Sequence, residues 1–260
     1  MRLLERNSTG EFSLKDFADD DVPRYAILSH TWGAETDEVN FKDLMDGTGK
    51  GKPGYDKIRF CAEQASRDGL QYVWVDSCCI DKSNNNELTT AINSMFRWYH
   101  DAARCYVYLS DVSTVDCDQK WEPAFRASRW FTRGWTLQEL LAPPLVEFFS
   151  RECKRLGDKD SLEGLVHEIT KIPVEALQGI DPSSFSVDER FSWAKNRETT
   201  RKEDQVYSLL GIFNVFMPLI YGEGREHALI RLKKQIEEHS KGEQPHLNSK
   251  ISFLTRRRRG

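Results

Sequence analysis

Three short clusters hold most of the residues able to do chemistry. Ser29, His30 and Trp32 lie together, Asp76, Cys79 and Asp81 lie together, and Trp135 stands four positions before Glu139. A spacing of four puts Trp135 and Glu139 on one face of a helix, one turn apart. Ser29 beside His30 is the pair a serine nucleophile needs, but no acid that would orient the histidine is evident. That leaves His30 equally well placed as a hydrogen-bonded structural residue. Cys78 and Cys79 fall in an apolar run and read as buried thiols rather than nucleophiles. Asp76 either lines a pocket or caps the turn that follows it. Trp32, Trp74 and Trp135 are either ring platforms or core, and Glu139 is either a pocket carboxylate or a solvated helix residue.

Other motifs fail on inspection. The six cysteines form no C-x-x-C pair, so no metal site is expected. The run Gly47-Thr-Gly-Lys-Gly-Lys52 lacks the spacing and the strand-to-helix setting of a phosphate cradle. Gly222-Glu-Gly224 is too short for a dinucleotide fingerprint and reads as a turn.

The elements that must position these residues alternate in type. Tyr25–Ser29, Gln71–Asp76, Cys105–Leu109 and Leu145–Phe149 are apolar, β-branched or aromatic runs and predict strands. Between them, Tyr55–Asp68, Glu87–Ala102 and Trp135–Leu141 show helical spacing, with Gly69 and Pro143-Pro144 as stops. This alternation predicts an α/β fold with a parallel sheet and connections of βαβ type. In the flavodoxin-like order, ligands bind beyond the carboxyl ends of the strands, between the first and third. The three clusters all fall there and are expected to converge on one rim. After Ser150 the pattern turns helical, over Ser161–Thr170, Val187–Arg197, Glu203–Phe213 and Gly224–Glu238, with no further convincing strand.

The chain has 260 residues, 39% of them hydrophobic, 30% charged, with a formal net charge of −4. That is an ordinary globular balance with no sign of a nucleic-acid surface. No apolar run is long enough to span a membrane, and MRLLERNSTGEF is too polar for a signal peptide. The Asn7-Ser8-Thr9 sequon is therefore taken as accidental. Unpaired cysteine usage points to a reducing, cytoplasmic setting. The tail ending in Arg256–Arg259 is either a nuclear-localisation-type patch or a solvated tail.

Four separated blocks resemble, in order, the fungal heterokaryon incompatibility (HET) domain. They are Tyr25-Ala-Ile-Leu-Ser-His-Thr-Trp-Gly33, Trp74-Val-Asp-Ser-Cys-Cys-Ile-Asp81, Arg133-Gly-Trp-Thr-Leu-Gln-Glu139 and the run from Arg197 to Leu232. The last is similar to the segment that follows the HET core in vegetative incompatibility proteins. The resemblance covers roughly residues 20–235. It implies a HET core over 1–150, a helical extension over 151–238 and a disordered basic tail over 239–260. The element order also resembles the TIR domain, whose enzymatic members carry a catalytic glutamate in a W-C-x-x-E stretch. Here the stretch is Trp135-Thr-Leu-Gln-Glu139, with Thr136 in place of the cysteine.

That second resemblance implies a TIR-like sheet and a cell-death effector that hydrolyses NAD⁺ once oligomerised. NAD⁺ is substrate rather than cofactor, and no cofactor is expected. An upstream NLR-like sensor or incompatibility partner would trigger assembly, with the polar loop Ser77–Asn86 as the contact. Nicotinamide leaves as a neutral molecule from a cationic ring, so one carboxylate suffices and no general acid is needed, unlike in ordinary glycosidases. Glu139 is the catalytic candidate. Ser29, His30, Trp32, Asp76, Cys79, Asp81 and Trp135 are the substrate-binding candidates. An exposed rim position would let Glu139→Gln keep the fold. The alternative is a non-enzymatic adaptor that signals by self-association and partner recruitment.

Overall fold

The computed structural model describes residues 1–115 and 121–242. Cys117 and most of the basic tail lie outside the described residues. The four anticipated strands are present as β3 (Tyr25–His30), β4 (Tyr72–Trp74), β5 (Arg104–Tyr108) and β6 (Val146–Phe149). They are mutually parallel, in the order β4-β3-β5-β6. Every residue of β3 is buried, as a central strand covered on both faces requires.

Helices make the crossovers. The first connection carries α1 (Phe41–Asp46) and α2 (Gly54–Arg67), and α3 (Asn85–Asp101) joins β4 to β5. The stop at Gly69 is as expected, with φ of 73° just past the end of α2. After β5 come α4 (Trp121–Arg126) and α5 (Thr136–Leu141). All six residues of α5 are buried, so it is an interior helix and not a surface one.

Three strands were not expected. β1 (Arg2–Arg6) and β2 (Phe12–Asp16) form an antiparallel hairpin that pairs with β4. Only Leu3 and Leu4 of β1 are buried, and the charged residues around them hide the strand signal. The supposed sequon is the hairpin turn: Asn7 Oδ1 accepts from Thr9 N, Thr9 Oγ1 and Glu11 N. β7 (Arg155–Asp158) pairs antiparallel with β6 and corrects the expectation of no strand after Ser150. Its charges suit an edge, and a side chain at Gly157 would collide with Leu162. The sheet is therefore mixed and seven-stranded, in the order β2-β1-β4-β3-β5-β6-β7.

The remaining helices are α6 (Glu163–Thr170), α7 (Val174–Leu177), α8 (Val187–Ser192), α9 (Asp204–Tyr207) and α10 (Gly224–Gly242). α8 and α9 are shorter than expected, and turns replace helix up to residue 214. No helix among the described residues is long and apolar enough to cross a membrane. Trp193, Tyr207, Leu209, Leu210 and Phe213 are buried in the common core as expected, and Tyr221 is half-buried against it.

This half docks tightly on α3. Asn93 Nδ2 donates to Met217 O at 3.1 Å, and Met217 N donates back to Asn93 Oδ1 at 3.0 Å. Gly211 lies so close to α3 that an added Cβ would stand 2.1 Å from Phe96 Cβ. Phe96 Cβ is fixed to the helix backbone and cannot swing away. Gly211→Ala is expected to destabilise the protein by about 1–3 kcal/mol through overpacking. A chemical-denaturation midpoint equal to that of the parent would refute this close approach.

Candidate functional site

β3 delivers two adjacent residues to opposite faces of the sheet, because side chains alternate along a strand. Ser29 is fully buried, and its hydroxyl donates to Glu139 Oε2 on α5. The indole Nε1–H of Trp130 donates in turn to Ser29 Oγ at 2.8 Å. Trp130, Ser29 and Glu139 thus form one continuous hydrogen-bonded line.

His30 goes the other way. Its Nδ1 is 3.9 Å from Asp76 Oδ1, and its Nε2 is 3.7 Å from Glu38 Oε2, too far for a hydrogen bond. Glu38 accepts from Lys57 Nζ at 2.5 Å and from Gly33 N at 2.7 Å. Burial pushes the Glu38 carboxyl up, but the His30 imidazole and the Lys57 ammonium outweigh it and hold the group at about 2. Asp76 accepts from Trp32 Nε1 at 2.9 Å and stands 3.8 Å from Lys82 Nζ. Trp32 is 39% exposed.

The single rim expected from the sequence is therefore two adjacent clusters, Ser29–Glu139–Trp130 and Trp32–Asp76–His30–Glu38. Three candidates sit elsewhere. Trp135 is one turn from Glu139 on the helix but bonds to Asp204, the first residue of α9. Cys79 is buried within its loop, with Sγ 3.4 Å from Val75 N. Asp81 caps the same loop, accepting from Ser83 N at 3.0 Å and Ser83 Oγ at 2.6 Å. Sequence reasoning missed Trp130, Glu38, Lys57 and Lys82 as neighbours of the site. Glu38 and Lys57 lie outside the clusters and carry no local signal.

Glu139 is not an exposed rim carboxylate. It is 7% exposed, and burial raises its carboxyl to about 8. The hydrogen bond from Ser29 works against that rise, and the negative charge of Asp76 adds to it. The backbone around α5 is equally enclosed. Arg197 is buried and donates through Nη1 to Arg133 O at 2.8 Å and to Thr136 Oγ1 at 2.9 Å. Gly134 N donates to Glu198 O at 2.8 Å, and a side chain at Gly134 would strike Thr199. A cavity of about 900 Å³ lies beyond, between α8, α9 and α10, with Phe191, Leu209, Leu229 and Ile236 in its wall. Arg197 and Gly134, with Thr199 and Ser208 beside them, connect it to the region of α5.

The raised carboxyl has a consequence for stability. The folded state holds the proton up to about 8, whereas an unfolded glutamate releases it near 4.5. The stability this group contributes is complete below the unfolded value and declines as pH rises toward the folded one. Glu139→Gln mimics the protonated form and removes the decline. The variant should gain on the parent between about pH 5 and pH 8, by at most about 1.4 kcal/mol per pH unit. Denaturant midpoints that differ equally at both ends of that window would show that Glu139 is not held protonated.

Comparison with known proteins identifies the family of the chain. The model of the family described as "Heterokaryon incompatibility protein (HET)" matches residues 25–124. A curated relative, the vegetative incompatibility protein HET-E-1 of Podospora anserina, is 61% identical over 241 residues. The alignment takes in 91% of this chain, which spans 18% of that protein's length. No solved structure matches. The chain belongs to the heterokaryon incompatibility family, whose matched region opens at β3, the strand that carries Ser29 and His30.

Proposed function

We propose that this chain is a cell-death effector of fungal allorecognition that hydrolyses NAD⁺ to nicotinamide and ADP-ribose when several copies assemble. The observation that carries the reading is the Glu139 carboxyl, held by Ser29 near the carboxyl end of the central parallel strand. The parallel order β4-β3-β5-β6 supports a TIR-like reading of the sheet, in which a ligand would meet that strand end.

The chemistry asks little of the protein. The bond between C1′ of the ribose and the ring nitrogen breaks, and its electron pair goes to the nitrogen, which becomes neutral. Positive charge develops on the ribose. Glu139, once ionised, stabilises that oxocarbenium-like charge, and water adds at C1′ with loss of a proton. A cation entering the site favours the carboxylate over the acid, so the substrate itself draws the proton off Glu139. Trp130 and Ser29 keep the carboxyl aimed.

In the closed arrangement Ser29 is fully buried and Glu139 nearly so. An enzyme lethal to its own cell needs such an off state. Assembly through the loop between β4 and α3, on a signal from an upstream sensor or incompatibility partner, would open it. Specific activity should then rise with protein concentration or on fusion to an oligomerising tag. A monomer with full, concentration-independent turnover would overturn this gating.

The same burial favours a second reading, a non-enzymatic adaptor in which Glu139 is a protonated core residue. The two separate on one variant. In an assembled sample, Glu139→Gln should lower NAD⁺ cleavage by roughly 10²–10³-fold, as loss of a catalytic electrostatic partner does, and abolish cell killing while remaining folded. Killing equal to the parent would establish the adaptor instead.

A further inference from the structure

Lys82 projects from the loop between β4 and α3, and its Nζ lies 3.6 Å from the centroid of the Trp32 ring. The same ammonium is 3.8 Å from Asp76 Oδ2. The Trp32 indole is itself oriented by Asp76, through its Nε1 at 2.9 Å. An aromatic face with a carboxylate at its edge is a site for a cation, and for a flat cation above all. Here the chain fills that site with its own side chain.

We propose that the Trp32 face and the Asp76 carboxylate form the subsite for a cationic aromatic ring, the pyridinium of the substrate, and that Lys82 is the internal cation that closes it. This rests on the NAD⁺-cleaving reading above and gives it a ring pocket and a plug. The ring stacks on Trp32 only after the ammonium moves aside.

The loop is built so that the side chain can move without the backbone. Arg2 Nη1 donates to Cys79 O at 3.4 Å and to Glu87 Oε1 at 2.8 Å. Asp81 N donates to the same Glu87 oxygen at 2.7 Å. Asp81 holds Ser83, and Asn84 caps α3 by accepting from Asn86 N and Glu87 N. These bonds pin the chain on both sides of Lys82, while its four-carbon stem carries the ammonium. Enclosure disfavours the charge on Lys82, and Asp76 is the main group offsetting it.

The arrangement also accounts for product release. The bound ring is a cation, attracted by both Trp32 and Asp76. Cleavage leaves its electron pair on the ring nitrogen, so nicotinamide is neutral and loses that attraction. Lys82, still charged, then competes for the site on better terms.

The test uses ring binding, which needs no turnover. The probe is 1-methylnicotinamide, a pyridinium cation, with neutral nicotinamide as its control. The readout is the indole N–H resonance of Trp32, identified by its loss in W32F. In the parent, the cation should shift that resonance at lower concentration than nicotinamide does. Lys82→Ala and Lys82→Met should each tighten the cation's apparent Kd by about fivefold or more, with little change for nicotinamide. Equal affinity in the parent and both variants would overturn the plug, and equal affinity for cation and neutral ring would overturn the cation site. A folded Trp32→Ala/Lys82→Ala variant that binds as tightly as Lys82→Ala, measured by equilibrium dialysis, would also overturn the site. Glu139→Gln should keep the ring on Trp32, with cation binding weakened only by loss of the carboxylate's attraction. Lost ring binding in a folded Glu139→Gln would overturn the placement of the subsite on Trp32, whereas unaltered NAD⁺ cleavage in that variant with ring selectivity preserved would overturn only the catalytic reading.

Discussion

Glu139 is ionisable, nearly inaccessible and tied to Ser29, and that combination constrains its neighbours. An unpaired carboxylate in such a place would cost on the order of several kcal/mol, so the group keeps its proton instead. The carboxyl needs directed partners in either state, and Trp130 and Ser29 line up behind it. It also needs a fixed backbone, which the fully buried α5 supplies. On the far face of β3 the opposite solution holds. Glu38 is just as buried but stays ionised, because Lys57 and His30 stand against it. Two carboxyl groups near one strand end are thus pushed in opposite directions.

The central strands and their helices were legible because each is an uninterrupted apolar or periodic run. Tyr25–Ser29 and Cys105–Leu109 had to be buried, and buried parallel strands alternating with helices leave few topologies. The hairpin β1–β2 was not legible, since two leucines among charges give no period. β7 was hidden by Gly157, which is there for a close approach to Leu162. In the second half, helical spacing over Glu203–Phe213 was real but overridden. Turns run there instead, and Gly211 among them lies directly against Phe96.

The pairing of Ser29 with Glu139 was within reach of the sequence, because strand ends and the following helix meet at a known place in such sheets. The split between Ser29 and His30 was within reach too, since neighbours on a strand face apart. What no local signal carried was the environment. Whether Glu139 is charged depends on how completely α3, α5 and β3 exclude water around it, and that is a property of packing. Trp135 illustrates the same point. Its helical spacing to Glu139 is correct, yet the indole turns to Asp204 because the second half of the chain offers a partner there.

That second half reaches back into the first at α5. Arg197 holds the carbonyl of Arg133 and the hydroxyl of Thr136, and Glu198 receives the amide of Gly134. The helix bearing Glu139 is therefore completed by residues more than sixty positions further along. Anyone joining this module to another protein, or shortening it for expression, must keep the chain past Glu198. A fusion cut after β6 would carry every residue of both clusters and still lack the scaffold that orients one of them.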